Sequence, residues 1–309
     1  MIQVCYLMSG PAHLPYLAVS LATLRRWYAG RVVVCAYPES HPAVVRIAAD
    51  PRCNADARLW HPHNRGKNGQ FIEKIRMMSK QIDNTTVYLD ADTMITGKLD
   101  ELVVAAQDHG FAATQFCNWQ SNRGSPAGRI RRLLDRQPID QAAVKKILAE
   151  PWPSVNGGVF ASHPDSKSWF LNQWYQWTLA VKDIFIADET VLHALVAYQH
   201  VYADELMKSG IPAKKCAVME GGSFNCSPRY QPKNLLDSDV KIWHFHGDSN
   251  VRPNKSKKGF DLWWPEYQKC LSENWGYIQE WVGACGNQWI TDLEAAQGQN
   301  HRPADVVVP

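Results

Sequence analysis

Hydrophobic and polar positions alternate between two periods along most of the chain, and the alternation lays out an α/β order. Ile2 to Met8 is a short apolar run closed by Ser9-Gly10-Pro11, the pattern of a buried strand and its turn. Leu14, Leu17, Ala18, Leu21 and Leu24 then recur at helical spacing, with Arg25 and Arg26 near the end and Gly30 as the stop. Arg31 to Tyr37 reads as a second strand, followed by a helix over about 42–49 and a short strand over 57–60. A polar loop, His63 to Gly69, leads into a helix over 70–81 that carries Lys74. Strand and helix in this succession predict a single Rossmann-like, mostly parallel sheet flanked by helices.

Thr86-Val87-Tyr88-Leu89-Asp90-Ala91-Asp92-Thr93-Met94-Ile95 is the stretch around which the pattern is arranged. It reads as a buried strand ending in two acids that flank one small residue, and open α/β sheets bind ligands just beyond the carboxyl ends of their strands. Two hard anionic oxygens there suit Mg²⁺ or Mn²⁺ bridging a diphosphate. A solvated strand end has the same sequence, so later features must decide.

After it come a helix starting near Asp100 and a strand over 110–114. Residues 121–150 carry seven basic against three acidic side chains between Gly124, Pro126, Gly128 and Pro138, which reads as a helical insertion or lid outside the core. Asn156-Gly157-Gly158 precedes an apolar strand, and the two glycines let backbone approach a ligand closely. A Trp-rich helix spans about 166–181, and Asp188-Glu189 opens another, where Asp188 either caps the helix or accepts from sugar hydroxyls. Phe224-Asn225-Cys226 lies in a Gly- and Pro-rich loop. Lys241 to Asp248 is a last strand running into a turn, with His244 and His246 on one side of it, suited to packing or to a metal ligand beside a substrate contact. Arg252, Lys255, Lys257 and Lys258 form a basic loop fit for phosphates. A Trp-rich helical extension over 259–295 and a polar, disordered tail over 296–309 complete the expectation.

Composition narrows the classes. The 309 residues carry 33 Lys plus Arg against 30 Asp plus Glu, a formal charge of +3 that by itself argues for neither nucleic acid nor membrane. The eight cysteines are dispersed without a C-x-x-C pair, which excludes a zinc ribbon or disulfide scaffold and favours reduced, buried thiols. The start of the chain lacks a signal-peptide pattern and no stretch is apolar enough to span a bilayer, so the expected location is cytoplasmic.

Five of these pieces, in order over residues 1–258, resemble family 8 glycosyltransferases of the GT-A fold: Lys74 on its helix, Asp90-Ala91-Asp92-Thr93, Asn156-Gly157-Gly158-Val159-Phe160, Asp188-Glu189, and His244-Phe245-His246-Gly247. The resemblance implies a retaining hexosyltransferase that uses a UDP-sugar donor and Mn²⁺ (or Mg²⁺). It implies metal ligation by Asp90, Asp92 and His244, and a catalytic neighbourhood at Asp188 and Glu189. Donor contacts would come from Ser9, Lys74, Asp90, Ala91, Asn156, Gly157, Gly158, Asp188, His246 and Gly247. A basic residue after Gly247 would close on the diphosphate. Arg252 comes two residues late for that role, and Lys255 competes for it. Glu189 stands where the family has Gln.

Other readings of the same residues are a sugar-phosphate nucleotidyltransferase and a non-catalytic module binding sugar or nucleic acid. Ser9-Gly10-Pro11 lacks the basic residue expected after the first strand of a nucleotidyltransferase. The acceptor is open between a carbohydrate, favoured here, and nucleic acid, since the basic patches and aromatics suit either.

Overall fold

The computed structural model describes residues 2–66, 68–81, 83–115, 126–137, 139–149, 154–184, 186–208, 216–246, 250–271, 282 and 287–300. Its strands are β1 Ile2–Met8, β2 Arg31–Ala36, β3 Asp56–Leu59, β4 Thr85–Leu89, β5 Thr93–Ile95, β6 Phe111–Gln115, β7 Val155–Ser162, β8 Ala217–Met219 and β9 Ile242–His244. The α-helices are α1 Leu14–Leu24, α2 His41–Ala48, α3 Gly69–Gln81, α4 Asp100–His109, α5 Pro126–Ile130, α6 Gln141–Leu148, α7 Asn172–Ala180, α8 Ala187–Lys208, α9 Lys257–Cys270 and α10 Gln288–Asn300.

Seven strands form one sheet in the order β3-β2-β1-β4-β7-β6-β8. All neighbours are parallel except β7, which runs antiparallel to both β4 and β6. Period-two alternation divides the buried side chains between two cores, one on each face. Val4, Tyr6, Met8, Val32, Val34, Val87 and Leu89 face a core shared with α1 and α9. Cys5, Leu7, Val33, Cys35, Tyr88, Phe111 and Phe160 face another shared with α3, α7 and α8.

Four elements differ from the sequence expectation. The run from Thr86 to Ile95 is not one strand: β4 stops at Leu89, the acids occupy a turn, and β5 leaves the main sheet to pair antiparallel with β9. Edge strand β8 carries no sequence signal, since its three residues are only half-buried. Ile130, Leu133, Ile139, Val144 and Ile147, at most 2% exposed, pack into the second core, so their segment belongs to the core despite its charge. Arg131, Arg132, Lys145 and Lys146 stay exposed, whereas Arg129 turns inward. At the other end, α10 continues past Ala296, into the stretch read as a tail, as far as Asn300.

Candidate active site

Asp90 follows the carboxyl end of β4, and Asp90 N–H donates to Gly158 O at 2.7 Å, which ties the acidic turn to β7. Thr93 Oγ1 donates to Asp90 O at 2.8 Å and continues through Ser20 to Tyr6, a buried hydroxyl chain that fixes the turn from below. The pairing of β5 with β9 places Thr93 opposite His244 and so brings Asp92 beside the imidazole. His244 Nε2 lies 3.3 Å from Asp92 Oδ1 and 3.7 Å from Asp90 Oδ2. Burial would raise the Asp92 carboxyl, but the neighbouring His244 holds it well below the usual carboxylate range. Burial would lower His244, and Asp92 outweighs it and raises the ring. Tyr88 donates to Asp90 Oδ1 at 2.8 Å, and burial together with Asp90 pushes its phenol well above its ordinary value.

Asp90, Asp92 and His244 each offer one ligand atom, all within 4.8 Å of one another. Two carboxylate oxygens and an imidazole nitrogen are a donor set that Mn²⁺ accepts, and Mg²⁺ tolerates its oxygens. Tyr88 occupies Asp90 Oδ1, which leaves Oδ2 facing the imidazole. The residues fit a divalent cation.

A second charge cluster adjoins this one. Lys74 Nζ and Asp188 Oδ2 form a buried ion pair at 2.6 Å. Burial would lower Lys74, but the Asp188, Asp90 and Glu189 carboxylates outweigh it and push its pKa up to about 12. Burial raises the Asp188 carboxyl against the pull of Lys74. The pair is ionised, because three carboxylates share the task of holding the ammonium charged. Asp188 sits within the first turn of α8, where the helix dipole favours an anion, so its role is pairing and not the capping open from sequence. Its Oδ1 is buried with no hydrogen-bond partner among the described residues. Glu189 accepts from Arg129 and, at 2.7 Å, from Asn156 Nδ2. Burial would raise Glu189, but Arg129 and His193 hold it below its ordinary value.

These groups line a cavity of about 340 Å³, of the size of a small-ligand site. Ser9, Lys74, Asp90, Ala91, Asp92, Asn156, Gly157, Gly158, Asp188, Glu189, His244 and His246 all line it. The His246 ring lies against His244, tilted 34° with centroids 3.8 Å apart, from a left-handed backbone at φ 51° that ends the strand earlier than expected. Arg252 and Lys255 do not line the cavity: Arg252 lies 5.8 Å over the Trp289 ring, and Lys255 is exposed on the same turn. Gly247 lies outside the described residues. Sequence reasoning passed over Tyr88, Arg129 and Asn225 as site residues. A tyrosine inside a strand and an arginine in a basic run carry no local signal, and Asn225 reads only as part of a loop.

A mostly parallel sheet with an acid-x-acid turn beyond its central strand, a histidine brought back beside it and helices on both faces is the GT-A glycosyltransferase fold. The chain is similar to the solved structure of the galactosyltransferase LgtC with donor and acceptor sugar analogues. The TM-score is 0.58 and the identity 13%, over 86% of this chain and 95% of that one. An active-site Gln-to-Glu mutant of LgtC gives 0.56 at 13% identity with the same coverage. The bifunctional glycosyltransferase WbbM in its apo form gives 0.51 at 11% identity, over 80% of this chain and 46% of that one. No protein-family model and no curated protein matches the sequence.

Proposed function

We propose that this chain is a metal-dependent, retaining glycosyltransferase of the family 8 type, moving a hexosyl group from a UDP-sugar to an acceptor hydroxyl, a carbohydrate in the favoured reading. The observation that carries the reading is the convergence of Asp90, Asp92 and His244 on the cavity that also holds the Lys74–Asp188 pair. Asp90, Asp92 and His244 would hold Mn²⁺, which when bound neutralises charge developing on the departing diphosphate. Lys74 adds a fixed positive charge, and Asp188 Oδ1, buried without a partner, suits a donor sugar hydroxyl. Gly157 and Gly158 keep the wall between these groups free of side chain. Ser9 and His246 complete the donor's surroundings, and residues 1–258 would act as one catalytic domain with the helical extension packed on it. The described cysteines are buried and form no disulfide with one another, which suits a reducing compartment such as the cytoplasm. Among the described residues no helix is long and apolar enough to cross a membrane.

Thermal melting against nucleotides and nucleotide sugars, with Mn²⁺, Mg²⁺ or EDTA, tests the reading. A rise with one UDP-sugar that EDTA abolishes is expected; no rise with any of them in folded protein would overturn it. Release of nucleoside diphosphate, and not pyrophosphate, separates sugar transfer from nucleotidyl transfer.

A further inference from the structure

Beside the candidate ligands runs a chain of buried amides whose direction is set by groups with only one hydrogen-bonding role. Gly158 N–H, a backbone donor, reaches Asn156 at 2.8 Å, so the atom it meets is the amide oxygen Oδ1. The other end of Asn156, Nδ2, then donates to the Glu189 carboxylate at 2.7 Å, and Arg129 on α5 keeps that carboxylate ionised. Asn225 touches two atoms that act as acceptors towards it. One is Asn156 Oδ1 at 3.2 Å; the other is Thr114 Oγ1 at 2.9 Å, whose own proton goes to Val159 O at 2.6 Å. Both require the Asn225 nitrogen. The Asn225 oxygen therefore faces His244 Nδ1, 2.8 Å away, and Nδ1 must carry the proton.

We propose that Asn225, itself oriented by Asn156 and Thr114, is a positioning residue that fixes the tautomer of His244, so that Nε2 is the ring nitrogen offered to a divalent cation. Nε2 is the atom that faces Asp90 and Asp92. With the other tautomer, a lone pair would meet the Asn225 oxygen and the N–H would point at the cation site. Metal-bound histidines are commonly held through their second nitrogen in this way, and losing such a partner weakens metal binding by about 10- to 100-fold. The consequence for metal rests on the glycosyltransferase reading; the tautomer itself does not.

The experiment has two readouts on the full chain. Long-range ¹⁵N–¹H NMR of histidine-labelled, metal-free protein, at a pH where the ring is neutral, should show His244 protonated on Nδ1 with Nε2 bare. Finding the proton on Nε2 would overturn the proposal. Titration with Mn²⁺, followed by the EPR signal of the free ion, should show wild type binding and Asn225→Leu binding about 10- to 100-fold more weakly. If Asn225→Leu binds like wild type while Asp92→Ala does not bind, this inference fails and the metal site stands. If wild type and Asp92→Ala bind alike, or neither binds, the metal site fails and the NMR result alone decides the tautomer.

Discussion

A Cβ added at Gly158 would run into the His244 ring and would lie 2.6 Å from Asp90 Oδ2 and 2.9 Å from Asn156 Oδ1. One methyl group would therefore push on two candidate ligands and on the Asn156 amide that orients Asn225. Gly158→Ala is expected to cost about 1–3 kcal/mol of stability, as overpacking does, and to abolish the Mn²⁺-dependent rise in melting temperature. Melting curves with and without Mn²⁺ separate the two effects, and an unchanged metal response would show that the wall yields. His193 gives a prediction in pH. Its Nε2 accepts from Val155 N–H at 3.2 Å and its Nδ1 donates to Glu189 O at 2.6 Å, so it bridges α8 to the start of β7 as a neutral ring. Burial pushes its pKa down to about 4 from 6.5. The unfolded chain takes up the proton first as pH falls, so stability is full above pH 6.5 and declines from there towards pH 4. Between pH 7 and pH 5 this one group should account for about 2 kcal/mol in urea denaturation, a share that His193→Gln removes.

At the scale of elements, the acidic turn, β7, the first turn of α8 and β9 meet at one point because side chains tie each to its neighbour. The Arg129–Glu189 pair links α5 to α8, with the two side chains 14% and 7% exposed. Removing the arginine leaves a buried carboxylate uncompensated, and Arg129→Ala is expected to destabilise the fold by about 3 kcal/mol. Glu189→Gln in that background should restore part of the loss, since an amide needs no cation. A double-mutant cycle in denaturant measures the coupling, and strictly additive effects would mean that the pair is energetically idle. Glu73 on α3 does similar work for the polar loop before it: its carboxylate accepts from Trp60 Nε1, from the backbone N–H groups of His63 and Asn64, and from Arg76. That loop read from sequence only as polar and glycine-containing, and the acceptor that shapes it lies on the helix that follows.

For the whole molecule, the sheet carries the site and the ligand should in turn stabilise the sheet. If the proposed donor is right, a UDP-sugar with Mn²⁺ at about a hundred times its dissociation constant should contribute about 2.7 kcal/mol, or roughly 5 °C in melting temperature for a chain of this size. Asp92→Ala should keep the metal-free melting temperature within a few degrees and lose both that increment and transferase turnover. Full turnover in Asp92→Ala would remove Asp92 from the metal site. The substitution should be tolerated in the metal-free fold, since Asp92 lies beyond the end of β4 and in neither core, although Ala91 beside it packs into the first.

Local chemistry was enough for much of this. The period-two and helical repeats give β1, α1, β2, α3 and β4 because each buries its own apolar stripe, and D-A-D, N-G-G, D-E and H-x-H are contiguous side chains whose chemistry is visible without a fold. What they meet depends on contacts distant in sequence. That Asp92 faces His244 follows from β5 leaving the sheet to pair with β9. That Asp188 holds Lys74 and not its own helix end depends on α3 and α8 lying side by side. Asn225 and Arg129 owe their roles to three-dimensional neighbours alone, because a hydrogen bond's direction is fixed by the partner that can only donate or only accept, and no stretch of sequence contains that partner.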